Sequence, residues 1–238
     1  MNDPSQQTPR VENAFAATTA IIPAGGAGLR FGGDTPKQYA ALCGLPIIVR
    51  TLRALEECAV VQAVVVAVAP AYRETIWGFA RDYAITKLSA VVEGGKERQN
   101  SIMNALASKP CLEAEYIAVH DAVRPFANAR LIEDVLAAAR LHGAAAPGLI
   151  PKDTVKQCDA EGFAQETPPR SLLRAVQTPQ IFRRDILLKA YRRANANNFL
   201  GTDDASLVEY AGFPVKIVAG DERNIKITTP LDFQYDGQ

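Results

Sequence analysis

TTAIIPAGGAGLRFGGDTPK, residues 18 to 37, begins as a short β-branched apolar run and turns at once into glycine. A strand ending in small residues is how an open α/β sheet commonly starts a ligand site, because bare backbone lets an anion reach N–H groups at the strand's carboxyl end. The same stretch then supplies two cations, Arg30 and Lys37, within one loop. Together these features describe a cradle for a polyphosphate. The spacing is not that of a P-loop, since Gly33 is followed by Asp34 where a lysine would stand, and a dinucleotide fingerprint would need glycine at Phe31. Taken alone, a flexible turn bearing a solvated arginine and lysine explains the loop about as well.

Outward from this stretch the pattern alternates. Pro46 stands where a helix opens, Ile47, Ile48, Leu52 and Leu55 recur at helical spacing, and Val61 to Ala69 is apolar but for Gln62, as a strand covered on both faces must nearly be. The pattern continues with helices over 72–82, 98–108 and 128–142, strands over 88–92, 115–120 and 144–150, and a late strand at Val215 to Val218. The expected fold is α/β: a mostly parallel, Rossmann-like sheet with helices on both faces and the first strand in mid-sheet. From Pro151 to Pro179 the periodicity breaks into prolines, charges and short alternating segments, which reads as an extended β-arm. Its apolar content is too thin for a core of its own, so the arm over 151–179 is expected to lean on a second subunit. Residues 1–15 are polar with Pro4 and Pro9 and read as a disordered tail, leaving 16–238 as a single domain.

Bulk composition narrows the function. The 238 residues are 48% hydrophobic and 22% charged, the make-up of a globular protein with a sizeable core. Lys plus Arg and Asp plus Glu both number 26, so no overall positive field draws the chain to nucleic acid or an anionic membrane. The most apolar run, Val60 to Ala69, is too short to span a bilayer, which takes about 18 residues or more. Cys43, Cys58, Cys111 and Cys158 lack both C-x-x-C pairing and metal-ligand spacing, in keeping with a reducing cytoplasm.

Three further segments carry candidate chemistry. His120-Asp121-Ala122-Val123-Arg124-Pro125 ends a predicted strand, which puts a carboxylate suited to a divalent metal and an arginine suited to a phosphate at the carboxyl edge of the sheet. His120 is expected only to hydrogen-bond locally. Gly94-Gly95-Lys96-Glu97-Arg98-Gln99-Asn100-Ser101 turns from strand to helix, where glycine admits a base or ribose and Ser101 adds a hydroxyl. Asn224-Ile225-Lys226-Ile227-Thr228 puts Lys226 and Thr228 on one side of an extended segment. Each segment also has a plain structural reading, as a surface ion pair, a tight turn and a strand edge.

In order, PAGGAGLRFGGDTPKQY, GGKERQNS, HDAVRP, DTVK, TPQIF, TDDAS and NIKITTP resemble the 2-C-methyl-D-erythritol 4-phosphate cytidylyltransferase family from about Thr18 to near the C-terminus. Each motif is weak alone, and the ordered set is specific. Val123 departs from the commoner HDAARP, and Leu231 replaces a usual acidic residue. The resemblance implies a nucleotidyltransferase fold and transfer of CMP from CTP to 2-C-methyl-D-erythritol 4-phosphate, with Mg²⁺ or another divalent metal. It assigns Arg30, Lys37, Asp121 and Lys226 to catalysis, with Asp121 also near the metal. Nucleotide contacts fall on Ala24, Gly25, Gly26, Gly28, Gly95, Ser101 and Ala122, and acceptor contacts on Arg124, Thr154, Arg170, Thr178, Thr202 and Thr228. It further implies a homodimer in which the arm carries Thr154 and Arg170 to the neighbouring site. Two alternatives stand beside this: a ribitol 5-phosphate cytidylyltransferase, differing mainly in the acceptor pocket, and a non-catalytic nucleotide-binding regulator, which would not need Arg30, Lys37, Asp121 and Lys226 together.

Overall fold

The computed structural model describes residues 17–26 and 36–234. The expected tail over 1–15, together with Gly28 and Arg30, lies outside the described residues.

The central sheet is built from β1 (Thr18–Pro23), β4 (Ala63–Val68), β5 (Leu88–Glu93), β6 (Tyr116–Val119), β7 (Ala144–Leu149), β10 (Ala175–Val176), β11 (Gln180–Arg183) and β12 (Lys216–Ala219). Before β4 come a two-strand ribbon, β2 (Ala41–Leu42) and β3 (Leu45–Pro46), and helix α1 (Ile47–Glu56). The remaining helices are α2 (Arg73–Asp82), α3 (Arg98–Leu106), α4 (Lys109–Glu113), α5 (Ala129–His142), α6 (Arg184–Ala196) and α7 (Asp204–Tyr210). A hairpin of β8 (Gln157–Cys158) and β9 (Ala164–Glu166) stands apart from the sheet.

β1 lies between β4 and β6, parallel to both, so the first strand is indeed in mid-sheet. β5 closes one side beyond β4. On the other side β11 runs antiparallel between β6 and β7, and β10 pairs with β7 in nearly the same register, so the two short strands share one edge of β7. β12 runs parallel along β7's other edge. The sheet is therefore mostly parallel, as expected, with β10 and β11 as the antiparallel insertion.

Residue alternation splits the core into two layers, because successive strand side chains face opposite ways. Ala20 and Ile22 face α1, α2 and α5, packing with Ile48, Leu52, Ile76 and Val135, whereas Ile21 faces α3, α6 and α7 with Ile102, Leu187 and Val208. Burying each such isoleucine or leucine stabilises the fold by roughly 2 kcal/mol, and Ile21→Ala at the sheet centre would forfeit about 2–5 kcal/mol. α5 shows how local signals set an element's ends. The Asn128 side chain caps its first turn by accepting from the Leu131 N–H, and Gly143 ends it at φ 86°, a left-handed conformation that glycine adopts without strain.

Predicted elements match within a residue or two, with one shift at α1. Pro46 closes β3 and the helix starts at Ile47. The alternation did not foresee β11, α4, α6 or α7. Between Pro151 and Val176 the chain projects from the body with almost every residue exposed, including Phe163 at 71% and Leu172 at 79%. Its root is not free, since Ala175 and Val176 are stitched to Leu149 and Gly148 of β7.

Candidate active site

The parallel strands deliver three turns to the same carboxyl edge. β1 runs into Ala24–Gly26, β5 into Gly94–Gly95 before α3, and β6 into His120–Arg124, around a cleft of about 660 Å³. Ala24 and Gly94 are pinned to the end of β4 through N–H donations to Ala67 O and Val68 O, both at 2.7 Å. Gln38, buried, donates from Nε2 to Ala24 O at 2.7 Å and Gly26 O at 3.0 Å, holding the near limb of the glycine loop. Gly95 is obligatory, because a Cβ there would lie 2.2 Å from Asn100 Cβ. Its N–H donates to Ser101 Oγ at 3.0 Å, and that hydroxyl donates on to Glu97 O at 3.2 Å.

Asp121 is the electrostatic centre. Only 8% exposed, it meets Lys226 Nζ at 3.0 Å and Arg124 Nε at 3.3 Å through Oδ2, and Arg98 Nε at 3.7 Å through Oδ1. Burial by itself would raise its pKa, but Lys226, Arg98 and Arg124 more than reverse that and hold it down at about 2. The carboxylate is ionised throughout the physiological range. Beneath it, the Asp121 N–H donates to Thr178 Oγ1 at 3.0 Å, the Thr178 hydroxyl pairs with His120 Nδ1 at 3.0 Å, and His120 Nε2 pairs with Arg124 O at 3.1 Å. A carbonyl can only accept, so Nε2 carries the ring proton and Nδ1 accepts from the threonine. Burial lowers the His120 pKa to about 4 and keeps the ring neutral, a local structural role as expected.

Two more loops complete the walls. Lys37 Nζ donates to Ile227 O at 3.2 Å, joining the first loop to the last. Arg124 Nη1 donates to Asn224 O at 2.7 Å, and the Ile227 N–H donates to Val123 O at 2.9 Å, holding both sides of Lys226. Ile227 is buried while Lys226 and Thr228 are exposed to the cleft, the alternation the sequence indicated. Thr228 is fixed by Asp232, whose carboxylate accepts from its N–H at 2.7 Å and its hydroxyl at 3.1 Å.

Of the predicted residues, Lys37, Asp121, Lys226 and Thr228 line this cleft with Ala24, Gly25 and Gly26. Gly95, Ser101 and Ala122 line it too. Arg124 and Thr178 lie directly against Asp121. Thr202 lies at a neighbouring cavity of about 90 Å³. Thr154 and Arg170 are exposed on the arm, where Arg170 Nη1 donates to Lys152 O at 2.8 Å, and neither lines its own chain's cleft.

Sequence reasoning missed Arg98, which lines both cavities and pairs with Asp204 Oδ2 at 2.7 Å as well as with Asp121. Asp204 is fully buried in the first turn of α7, and the Tyr191 hydroxyl donates to it. The two carboxylates raise the pKa of Arg98 against the opposing effect of burial. Arg98 and Asp204 sit inside GGKERQNS and TDDAS, so charge within those motifs was the available signal. Gln38 had none beyond its place after Lys37.

Comparison with known proteins agrees with this geometry. The family model described as 2-C-methyl-D-erythritol 4-phosphate cytidylyltransferase matches residues 18–236. A protein of that name from Symbiobacterium thermophilum is 43% identical over 221 residues, covering 91% of this chain and 89% of its own. Another from Pelotomaculum thermopropionicum is 44% identical over 218 residues, covering 90% of each. Among solved structures, the 4-diphosphocytidyl-2C-methyl-D-erythritol synthase of Anaerococcus prevotii superposes with a TM-score of 0.81 at 29% identity, covering 94% of this chain and 97% of that one. The 2-C-methyl-D-erythritol 4-phosphate cytidylyltransferase of Thermus thermophilus gives 0.73 at 32% identity, covering 92% and 96%. With GGKERQNS, HDAVRP and NIKITTP meeting around one cleft and the match running from β1 almost to the last residue, the chain belongs to the 2-C-methyl-D-erythritol 4-phosphate cytidylyltransferase family.

Proposed function

We propose that this protein transfers CMP from CTP to 2-C-methyl-D-erythritol 4-phosphate, releasing pyrophosphate and 4-diphosphocytidyl-2-C-methyl-D-erythritol, a step of the non-mevalonate route to isoprenoids. The observation that carries the reading is Asp121, an ionised carboxylate at the sheet's carboxyl edge with Lys226, Arg98 and Arg124 around it and the glycine turns opposite. An acceptor phosphate oxygen attacks the α-phosphorus of CTP, and the bond to the β-phosphate oxygen breaks. A phosphate monoester has a second pKa of about 6, so it arrives largely ionised and needs no strong general base. The protein's task is to align the groups and neutralise charge. Backbone at Ala24, Gly25 and Gly95, with Ser101 and Ala122, receives base and ribose. Gly26, Gly28, Arg30 and Lys37 take the triphosphate, the two cations acting on the leaving pyrophosphate. Lys226 and Arg124 orient the acceptor phosphate, with Thr178, Thr202 and Thr228 on its polyol side.

Asp121 also fits a magnesium ion. Such ions commonly use one or two protein carboxylates and take their other ligands from water and nucleotide phosphates, and Oδ1 of Asp121, with Arg98 at 3.7 Å, is the less committed oxygen. When bound, the ion would neutralise phosphate charge. The arm supports a homodimer: its exposed Phe163 and Leu172 find no cover among the described residues, and a partner would gain Thr154 and Arg170. We place the protein in the cytoplasm, in keeping with four unpaired cysteines.

Incubation with CTP and Mg²⁺, with methylerythritol 4-phosphate and ribitol 5-phosphate offered separately, tests the assignment through pyrophosphate release. Turnover is expected with the first acceptor. Preference for ribitol 5-phosphate would move the protein to the other acceptor class, and release with neither would defeat the assignment.

A further inference from the structure

The segment from Asp221 to Thr228 carries Lys226 into the cleft without belonging to any strand or helix. Such a segment has N–H and C=O groups that no ladder satisfies, so something else must hold it. Gln177, which has no part in the mechanism above, is placed to do so. It is 6% exposed, Oε1 accepts the Asp221 N–H at 3.2 Å, and Nε2 donates to Asp221 O at 2.9 Å and Asn224 O at 3.2 Å. Its own backbone is fixed to the sheet, because its N–H donates to Pro147 O of β7 at 2.8 Å. The next residue extends the contact: Thr178 O accepts from Asn224 Nδ2 at 2.8 Å while Thr178 Oγ1 accepts the Asp121 N–H. A splint therefore runs from β7 through Gln177 to the loop, alongside the bonds that hold Asp121.

We propose that Gln177 is a positioning residue for the acceptor: by fixing the backbone at Asp221 and Asn224 it sets Lys226 Nζ against Asp121, and it touches neither substrate. This rests on the proposed function for what Lys226 does, though not for the splint itself. The chemistry calls for glutamine. Asp221 O needs a donor and the Asp221 N–H an acceptor on the same planar group, and Asn224 O takes a second bond from that amide beside the one from Arg124; glutamate offers no donor, methionine offers no comparable group, and asparagine is one methylene short. The fit is close, since a Cβ on Gly220, at the start of the loop, would lie 2.6 Å from Gln177 Oε1.

Gln177→Met keeps the volume and removes all three bonds, and Gln177→Glu keeps the acceptor alone and carries the test if the first variant does not fold. Two readouts are needed. In ligand-free protein, amides over 221–228 should exchange about tenfold faster while those of β1 and β6 keep their protection. In turnover, KM for the acceptor should rise about tenfold with KM for CTP within about twofold of wild type, a misplacement effect on one substrate only. Added to Lys226→Ala, either variant should cause little further loss, because the residue it positions is already gone. Unchanged exchange over 221–228, parallel rises in both KM values, or independent losses that multiply in the double variant would each overturn the proposal. The exchange readout needs no substrate, so a wild type that released no pyrophosphate would sink the proposed function while exchange alone still decided the splint.

Discussion

The two halves of the sheet bring chemistry into one cleft by different means. On the side of β1, β4 and β5, the groups are largely backbone and several are held by near neighbours in sequence: Gly95 by Ser101 six residues on, and Ala24 by Gln38 fourteen residues on, although Lys37 reaches Ile227 across 190. On the side of β7, β10, β11 and β12, they are side chains fixed by distant segments, as where Arg124 reaches Asn224 across 100 residues. A nucleotide can be recognised by the conformation of a few consecutive residues, but a small phosphorylated polyol needs charges drawn from several loops. On the proposed assignment, the nucleotide side is therefore set mostly by local sequence and the acceptor side by topology.

The largest effect should come from the nucleotide side. Lys37 is assigned to charge that grows only as pyrophosphate leaves, so Lys37→Ala should lower kcat about 100-fold or more while CTP binding weakens far less. Equal losses in kcat and affinity would contradict a transition-state role, and a loss under about threefold would make Lys37 a loop tether through Ile227 rather than a catalytic group.

Next is acid stability, which tests whether the two halves are locked together at Asp121. The folded pKa of this carboxylate is about 2, below its ordinary 3.8, so its contribution is complete above about pH 4 and lost as pH falls towards 2. That difference is worth roughly 2 kcal/mol. His120 has the same sign by a different route: its folded pKa of about 4 lies below the usual 6.5, so the neutral ring stabilises fully above about 6.5 and that contribution fades towards pH 4. Unfolding midpoints measured from pH 7 down to 2 should fall in two stages. Asp121→Asn should shrink the lower stage, to which the lowered carboxyls of Glu56, Asp185, Asp221 and Asp232 also contribute, and leave the upper one; a variant with the lower stage undiminished would place the acid response in those other carboxyls.

Asp121→Asn sharpens the comparison further, because the proposed assignment puts Asp121 between nucleotide and acceptor. If its Oδ1 holds the metal, activity titrated with Mg²⁺ should need about tenfold more ion in the variant. Strongly reduced activity at an unchanged Mg²⁺ midpoint would instead assign the carboxylate to holding Lys226 and Arg124.

The same division explains what could be read in advance. β1, β4 to β7, α1 to α3 and α5 follow from apolar periodicity, since each element's own residues decide which side is buried. β11 was invisible for a physical reason: Gln180–Arg183 is four residues long, directly follows proline, and is a strand only because β6 and β7 lie on either side of it. α6 and α7 follow in the stretch the proline-rich arm obscured. Within the site, Asp121, Gly95 and Lys226 were legible because strand ends, glycines and isolated lysines carry their own signal. Arg98 and Gln177 were not, because an arginine bridging Asp121 to Asp204, or an amide splinting a loop 44 residues away, has meaning only in three dimensions.

The smallest expected effect tests the acceptor side's dependence on topology at its limit, where the topology extends to another chain. Thr154 and Arg170 lie on an exposed arm and do not line their own cleft, whereas Lys37 does. If the arm crosses to a partner, each site is composite. Arg170→Ala and Lys37→Ala chains, each nearly inactive as homodimers, should then complement, because a mixed dimer holds one site with both lesions and one with neither. Random exchange of equal amounts puts about half the dimers in the mixed form, with one intact site in each, so about a quarter of wild-type activity should return. If Arg170 served its own chain's site, every site in the mixture would carry one lesion and activity would stay at background. Mass-verified subunit exchange with no recovery would thus return the acceptor side to a single chain, and long-range contacts within that chain would have to account for it.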